Sequence, residues 1–153
     1  MSLGFFAKAQ SDVKLSNFVF APLVYNPAYA GSSDGYSATG FYTSQFVGFD
    51  GAPETLILTG HDRIGLTNLG AGFDIMSDKI GASTENRVVG NIAYHLRLSQ
   101  NWLLSTGIKL GVNNYAIDYS LLSIEDPNEF GNSFGDLSRT SLIFGSGIFL
   151  HRE

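Results

Sequence analysis

The stretch from Arg87 to Val112 constrains the fold most, because its polarity alternates with period two across two runs joined by a tight turn. Successive side chains of a strand point to opposite faces. One row of the first run is Val88, Gly90, Ile92, Tyr94, Leu96 and Leu98; the other is Arg87, Val89, Asn91, Ala93, His95, Arg97 and Ser99. Ser99-Gln100-Asn101 supplies small polar turn residues. Trp102, Leu104, Thr106, Ile108, Leu110 and Val112 then form a second greasy row, opposed by Leu103, Ser105, Gly107, Lys109, Gly111 and Asn113. Each run reaches the roughly ten residues that a tilted strand needs to cross a bilayer, about twice an average soluble strand.

The same alternation organises the rest of the chain. Strands are expected over about 36–49, 54–61, 68–76, 87–98, 102–119 and 139–150, six in all. Asp50-Gly51-Ala52-Pro53 is a sharp reversal, 77–86 a longer connection and 120–138 a long one. Short turns of outer-membrane barrels lie on the periplasmic side and long loops outside. With the N-terminus in the periplasm, four of the five connections fit that rule, the 50–53 turn being the exception. Residues 10–33 carry Pro22 and Pro27 and no clean period, which predicts an irregular lead-in packed on the sheet. Residues 1–9 end in Ala7-Lys8-Ala9 and read as the remnant of a secretory leader, against the plainer reading of an apolar N-terminus. The barrel portion is then 34–153.

Alternation by itself does not separate a membrane barrel from a soluble sheet, since a dry core and a lipid surface select the same row. Three features favour the membrane. The greasy rows carry no charge through their middles, where one would cost about 2 to 4 kcal/mol. Charged residues, at 15%, fall below the usual quarter or so, and many of the 18 glycines sit inside strands on the polar rows. Trp102 opens its strand at a turn, where an interfacial girdle would place it. The expected lipid-facing set is Ile92, Tyr94, Leu96, Trp102, Leu104, Ile108 and Leu110. The expected lumen-facing set is Asp74, Arg87, Asn91, His95, Arg97, Lys109 and Asn113. A soluble β-sheet binding module is the alternative.

Several function classes are disfavoured. The net charge of −5 is spread without basic blocks, which argues against nucleic acid as a partner. Cysteine is absent, and His61, His95 and His151 lack metal-ligand spacing, so no metal or cofactor is expected. Gly70-Ala71-Gly72 has no helix after it to hold a phosphate and reads as small residues making lumen space. Phe144-Gly145-Ser146-Gly147-Ile148 has the wrong spacing for a nucleophile elbow. Asp126-Pro127-Asn128-Glu129 reads as an exposed turn rather than a cation loop. The related strings Asp62-Arg63-Ile64-Gly65 and Asp78-Lys79-Ile80-Gly81 should lie at opposite ends of the barrel. Phe41, Tyr42 and Phe46 read as lipid or core contacts before cargo contacts.

Six strands do not close a membrane barrel, for which about eight is the minimum. An open edge in lipid leaves backbone groups unpaired. The chain is therefore expected to be an incomplete part of a larger antiparallel outer-membrane β-barrel, all-β in class.

Four strings bear on identity. Asn26-Pro27-Ala28-Tyr29-Ala30-Gly31-Ser32, then Gln45-Phe46-Val47-Gly48-Phe49-Asp50-Gly51-Ala52-Pro53-Glu54-Thr55, then Asp78-Lys79-Ile80-Gly81 and Leu110-Gly111-Val112-Asn113-Asn114-Tyr115 resemble strings of the PorP/SprF membrane proteins of the type IX secretion system of Bacteroidetes. The second string has Phe46 where Trp is usual. The resemblance covers most of 18–150. Members are about twice this length, which implies an N-terminal half. It also implies an outer-membrane protein that works with other type IX components in protein secretion, gliding motility and the attachment of adhesin-like cargo to the cell surface. No catalytic residues carry over, so a non-enzymatic role is expected.

Overall fold

The computed structural model describes residues 21–33, 35–46, 48–49, 51–118 and 137–152. The leader reading at 1–9 and the Asp126–Glu129 turn lie outside the described residues. Six strands, β1 (Ser37–Ser44), β2 (Glu54–Arg63), β3 (Leu69–Ile80), β4 (Ser83–Arg97), β5 (Trp102–Ile117) and β6 (Leu137–Arg152), form one antiparallel meander in sequence order. β1 and β6 are its edges, so the sheet is not closed among the described residues. No helix among the described residues is long and apolar enough to cross a membrane, which says nothing of crossing by strands.

The strands exceed the expected lengths where their ends are polar. The largest difference is at 77–86, expected as a connection. Here β3 and β4 continue to pair until only Gly81 and Ala82 remain as the turn. Gly81 takes φ +59°, the positive value that two-residue hairpin turns require. Ser77 and Asn86 bond side chain to side chain at 2.8 Å, while Asp78 stands directly opposite Glu85. That like-charge pair is relieved sideways: Thr55 Oγ1 donates to Asp78, and Asn113 Nδ2 donates to Glu85 at 2.8 Å. Polar residues on both rows mask alternation, so a ladder carried by such pairs reads as a loop. Conversely β1 stops at Ser44, five residues short of the expected end, and the connection 45–53 turns through Phe46, Gly48 and Gly51 at positive φ.

The two faces of the sheet differ. On one, Leu58, Phe73, Ile92, Ile108, Leu110 and Phe144 stand exposed. The other is covered by the segment 21–33, folded as the short helix α1 (Pro22–Tyr25) and a 3-10 turn (Pro27–Tyr29). Ala21 and Val24 pack with Ile57 and Met76, flanked by Tyr25 and Phe41. Leu23 and Ala30 pack with Ala93, flanked by Tyr29. The core is this layer between lead-in and sheet.

Cross-strand register explains how a bare backbone segment lies so close. Gly70, Ala93, Gly107 and Gly147 are mutual partners across β3 to β6 and form one row of the smallest side chains. A β-carbon on Gly70 would overlap the Ala30 carbonyl, one on Gly107 the Pro27–Ala28 peptide, and one on Gly147 the Asn26 side chain. Gly107→Val should destabilise the folded protein by about 1 to 3 kcal/mol through overpacking. Gly90→Ala, whose β-carbon meets nothing nearer than Leu110 O at 3.8 Å, should change stability little. Urea midpoints of the refolded protein in detergent measure both.

Candidate functional site

The covered face is where polar chemistry collects. Asn26 organises the approach: its Oδ1 accepts from the Ala28 amide at 3.0 Å, capping the 3-10 turn, and its Nδ2 donates to Ile148 O at 3.0 Å. Pro27 opens that turn with a φ already suited to it and no amide to satisfy. Neighbouring backbone groups of the segment meet side chains from three strands. Gly31 N donates to His61 Nδ1 at 3.2 Å, Arg63 Nε to Gly31 O at 3.4 Å and Lys109 Nζ to Val24 O at 3.1 Å. His95 bridges, with Nε2 2.9 Å from Ala30 O and Nδ1 2.7 Å from Ser105 Oγ. A carbonyl only accepts, so His95 Nε2 carries the proton and the Ser105 hydroxyl donates to Nδ1. A buried peptide group without such partners would cost about 1 to 3 kcal/mol.

All seven expected lumen-facing residues lie on the covered-face rows, and they divide into groups. Asp74, Asn91, Arg87 and Lys109 stand together at mid-height. Asn91 Nδ2 donates to Asp74 Oδ2 at 2.9 Å, and Arg87 Nε lies 3.8 Å from Asp74 Oδ1. Asp74 and Asn91 are 1% and 2% exposed, and Asp74 Oδ1, Arg87 Nε and Nη2, Asn91 Oδ1 and Asn113 Oδ1 have no hydrogen-bond partner among the described residues. Orphaned groups at that depth ask for ordered water. Asn113 is tied to Glu85 nearer one end. His95 and Arg97 belong to the other end. Among the described residues no group of three or more His, Asp or Glu is placed to share a metal ion.

The expected lipid-facing residues all lie on the opposite, open-face rows, with Ile92, Ile108 and Leu110 at 54, 57 and 65% exposure and Leu104 half-buried. Trp102 is the first residue of β5. Of the aromatic candidates, Phe41 packs in the core and Tyr42 and Phe46 are exposed. The strings at 62–65 and 78–81 do fall at opposite ends, and each closes its turn with a glycine at positive φ, Gly65 and Gly81.

Two features escaped the sequence. Gly70 and Gly72 do not leave open lumen: the space beside them is filled by Ala30 and by Leu23. The three histidines, placed apart by sequence, gather on one end of the covered face around Tyr29. Tyr29 meets His61 at 5.3 Å and Phe149 at 5.4 Å, both edge-on, and Phe149 stacks on His151 at 5.0 Å. The signal was available in principle: four small residues at matching register, and a seven-residue string of Asn, Pro and small residues able to lie on them.

Residues 7–153 match the family model described as "Type IX secretion system membrane protein PorP/SprF". No curated protein matches the chain, and no solved structure does.

Removing one clamp should release the segment. Asn26→Ala and His95→Ala are each expected to lower stability by about 1 to 3 kcal/mol and to open the bonds after Tyr25 and Tyr29 to chymotrypsin. Fragment mapping on gels reads this out; unchanged cleavage in both variants would contradict the clamp.

Proposed function

The chain belongs to the PorP/SprF family of type IX secretion system membrane proteins, and from that premise we propose that it forms part of an outer-membrane β-barrel that holds a secreted, adhesin-like partner at the cell surface. Membership implies work alongside other components of that secretion system. The role is non-enzymatic: the protein binds and positions a partner.

One observation carries the membrane reading. On β2 to β6 the row turned away from the lead-in carries the large apolar side chains, and Leu142 and Phe144 are 80 and 79% exposed. Water-exposed patches of that extent are foreign to a soluble monomer; hydrocarbon suits them. Charges on these rows are confined to strand ends, at Glu54, Asp62, Lys79 and Arg152. In this reading Ile92, Tyr94, Leu96, Trp102, Leu104, Ile108 and Leu110 meet lipid. Asp74, Arg87, Asn91, His95, Arg97, Lys109 and Asn113 line the lumen. Residues 10–33 are the lead-in and 34–153 the barrel part.

The connections 64–68 and 98–101 are short, which assigns that end to the periplasm by the usual rule. At the other end lie the longer 45–53 connection, the end of β5 and the start of β6, and also the two-residue turn at 81–82, the exception to that rule; we assign this end to the exterior and the cargo.

Ile108→Arg separates lipid from water. At mid-bilayer it should cost about 2 to 4 kcal/mol, read as a lowered urea midpoint in phospholipid vesicles. On a water-facing sheet the change would stay within about 0.5 kcal/mol, and that result would sink the membrane reading. For the anchoring role, deletion of the gene should leave a large adhesin off the cell surface, detected by labelling intact cells; normal display would exclude it.

A further inference from the structure

The string from Asn26 to Gly31 is fastened at its two ends by different chemistry. At the Asn26 end the fasteners are amide groups. Asn26 Nδ2 donates to Ile148 O and Asn26 Oδ1 accepts from the Ala28 amide, both at 3.0 Å. A carboxamide does not titrate. At the Gly31 end the fasteners are two imidazoles. Gly31 N donates to His61 Nδ1 at 3.2 Å, and His95 Nε2 donates to Ala30 O at 2.9 Å. Both rings are buried, at 6% and 2% exposure.

The two rings answer a proton differently. A backbone N–H only donates, so the bond to Gly31 requires His61 Nδ1 to be bare, with the ring proton on Nε2. Protonation puts a second N–H there, and two donors then face each other where little water can relieve them. His95 meets no such conflict. Its Nε2 keeps the proton that Ala30 O accepts, and its Nδ1 lies 2.7 Å from Ser105 Oγ. A hydroxyl turns from donor to acceptor, so the charged ring retains both bonds. Among the described residues, the charged and titratable groups around His61 are Asp62 and Arg63 on its own strand, Asp74 on β3, His95 on β4 and Tyr29 over the ring. Asp74 is bound by Asn91 and paired with Arg87, Asp62 accepts from the Arg63 amide, and Arg63 Nε reaches Gly31 O.

We propose that His61 is a latch opened by acid and His95 a hinge that acid leaves shut. Protonation of His61 frees Gly31 and the corner that leads from it into β1, while 26–30 stay seated on the row of small residues. The corner has room to swing, since a β-carbon on Gly35 would meet nothing within 4 Å. It enters the sheet at Ser37, the register partner of His61 itself, so the latch also governs where the edge strand β1 begins to pair. The open form takes up the proton at the ordinary imidazole value of about 6.5. Closure is therefore complete above that value and is lost as pH falls below it, the closed-to-open ratio dropping by up to about tenfold per pH unit for one proton. None of this depends on which face of the sheet meets lipid.

The test follows the isotope-labelled full chain, refolded in detergent, by NMR from about pH 8 to about pH 5. At the upper end His61 Nδ1 should show the shift of an unprotonated ring nitrogen. Hydrogen exchange, referred to the intrinsic rate at each pH, should then lose protection at the Gly31 amide with the midpoint of His61 protonation. The amides of Ala28 and Ala30, and those of the strands, should keep theirs. His61→Asn places a carboxamide oxygen where Nδ1 stood and should hold Gly31 at every pH. His151→Gln, whose ring lies on Phe149, should behave as the unaltered protein. If His61→Asn does not refold, the two midpoints in the unaltered chain decide. Four results would overturn the proposal: a proton on His61 Nδ1 at the upper end, Gly31 protection unchanged once His61 is charged, an acid-dependent loss that survives in His61→Asn, or strand amides losing protection together with Gly31.

Discussion

The structure depends on how closely a length of irregular backbone can approach a sheet. A peptide lying across strands normally rides on side chains, several ångströms above the ladder. Here the row Gly70, Ala93, Gly107 and Gly147 removes those side chains over four adjacent strands, and the string from Asn26 to Gly31 drops into the gap. Once there its amides and carbonyls have lost water, so each must find a partner. His61, Arg63 and His95 provide three, Lys109 holds the Val24 carbonyl just before the string, and Asn26 satisfies the turn from within. Small residues and polar side chains are therefore two halves of one arrangement: the first permits the approach and the second makes it stable.

That arrangement turns the usual assignment of faces around. The face of the sheet with the charges is the covered one, and the face with the large apolar side chains is open. Asp74, Arg87, Asn91 and Lys109 are tolerable inside because opposite charges lie side by side and water can complete the set, whereas an isolated buried charge would be strongly disfavoured. Nothing comparable can be done for Phe144 or Leu142 in water, since an apolar surface has no partner to recruit there. A bilayer removes the difficulty, and membership of a membrane-protein family accords with it.

Much of this was legible along the chain. The rows holding Ile92, Ile108 and Leu110 on one side and Asn91, His95 and Lys109 on the other follow from period two alone, because a strand has no other way to distribute its side chains. The extent of the strands was less legible. At 77–86 the ladder is held by Ser77–Asn86 and by sideways bonds from Thr55 and Asn113, and a pattern polar on both rows carries no alternation to read. At 45–49 the reverse holds: Phe46 and Phe49 suggest a strand, but Phe46 adopts φ +57° and the chain turns.

What alternation alone settled is the architecture of each strand and the parity of every side chain on it, since both depend on neighbours in sequence. It also made a glycine-rich polar row visible without saying what the row was for. Register decided that. Only pairing across β3 to β6 lines up four small residues that lie far apart in the chain, and only that alignment brings Tyr29 between His61 and Phe149 and carries His151 to the same end. Contacts between residues separated by tens of positions are set by which strands pair and at what offset, and no local period encodes the offset. The chemistry of the covered face is thus a property of the assembled sheet.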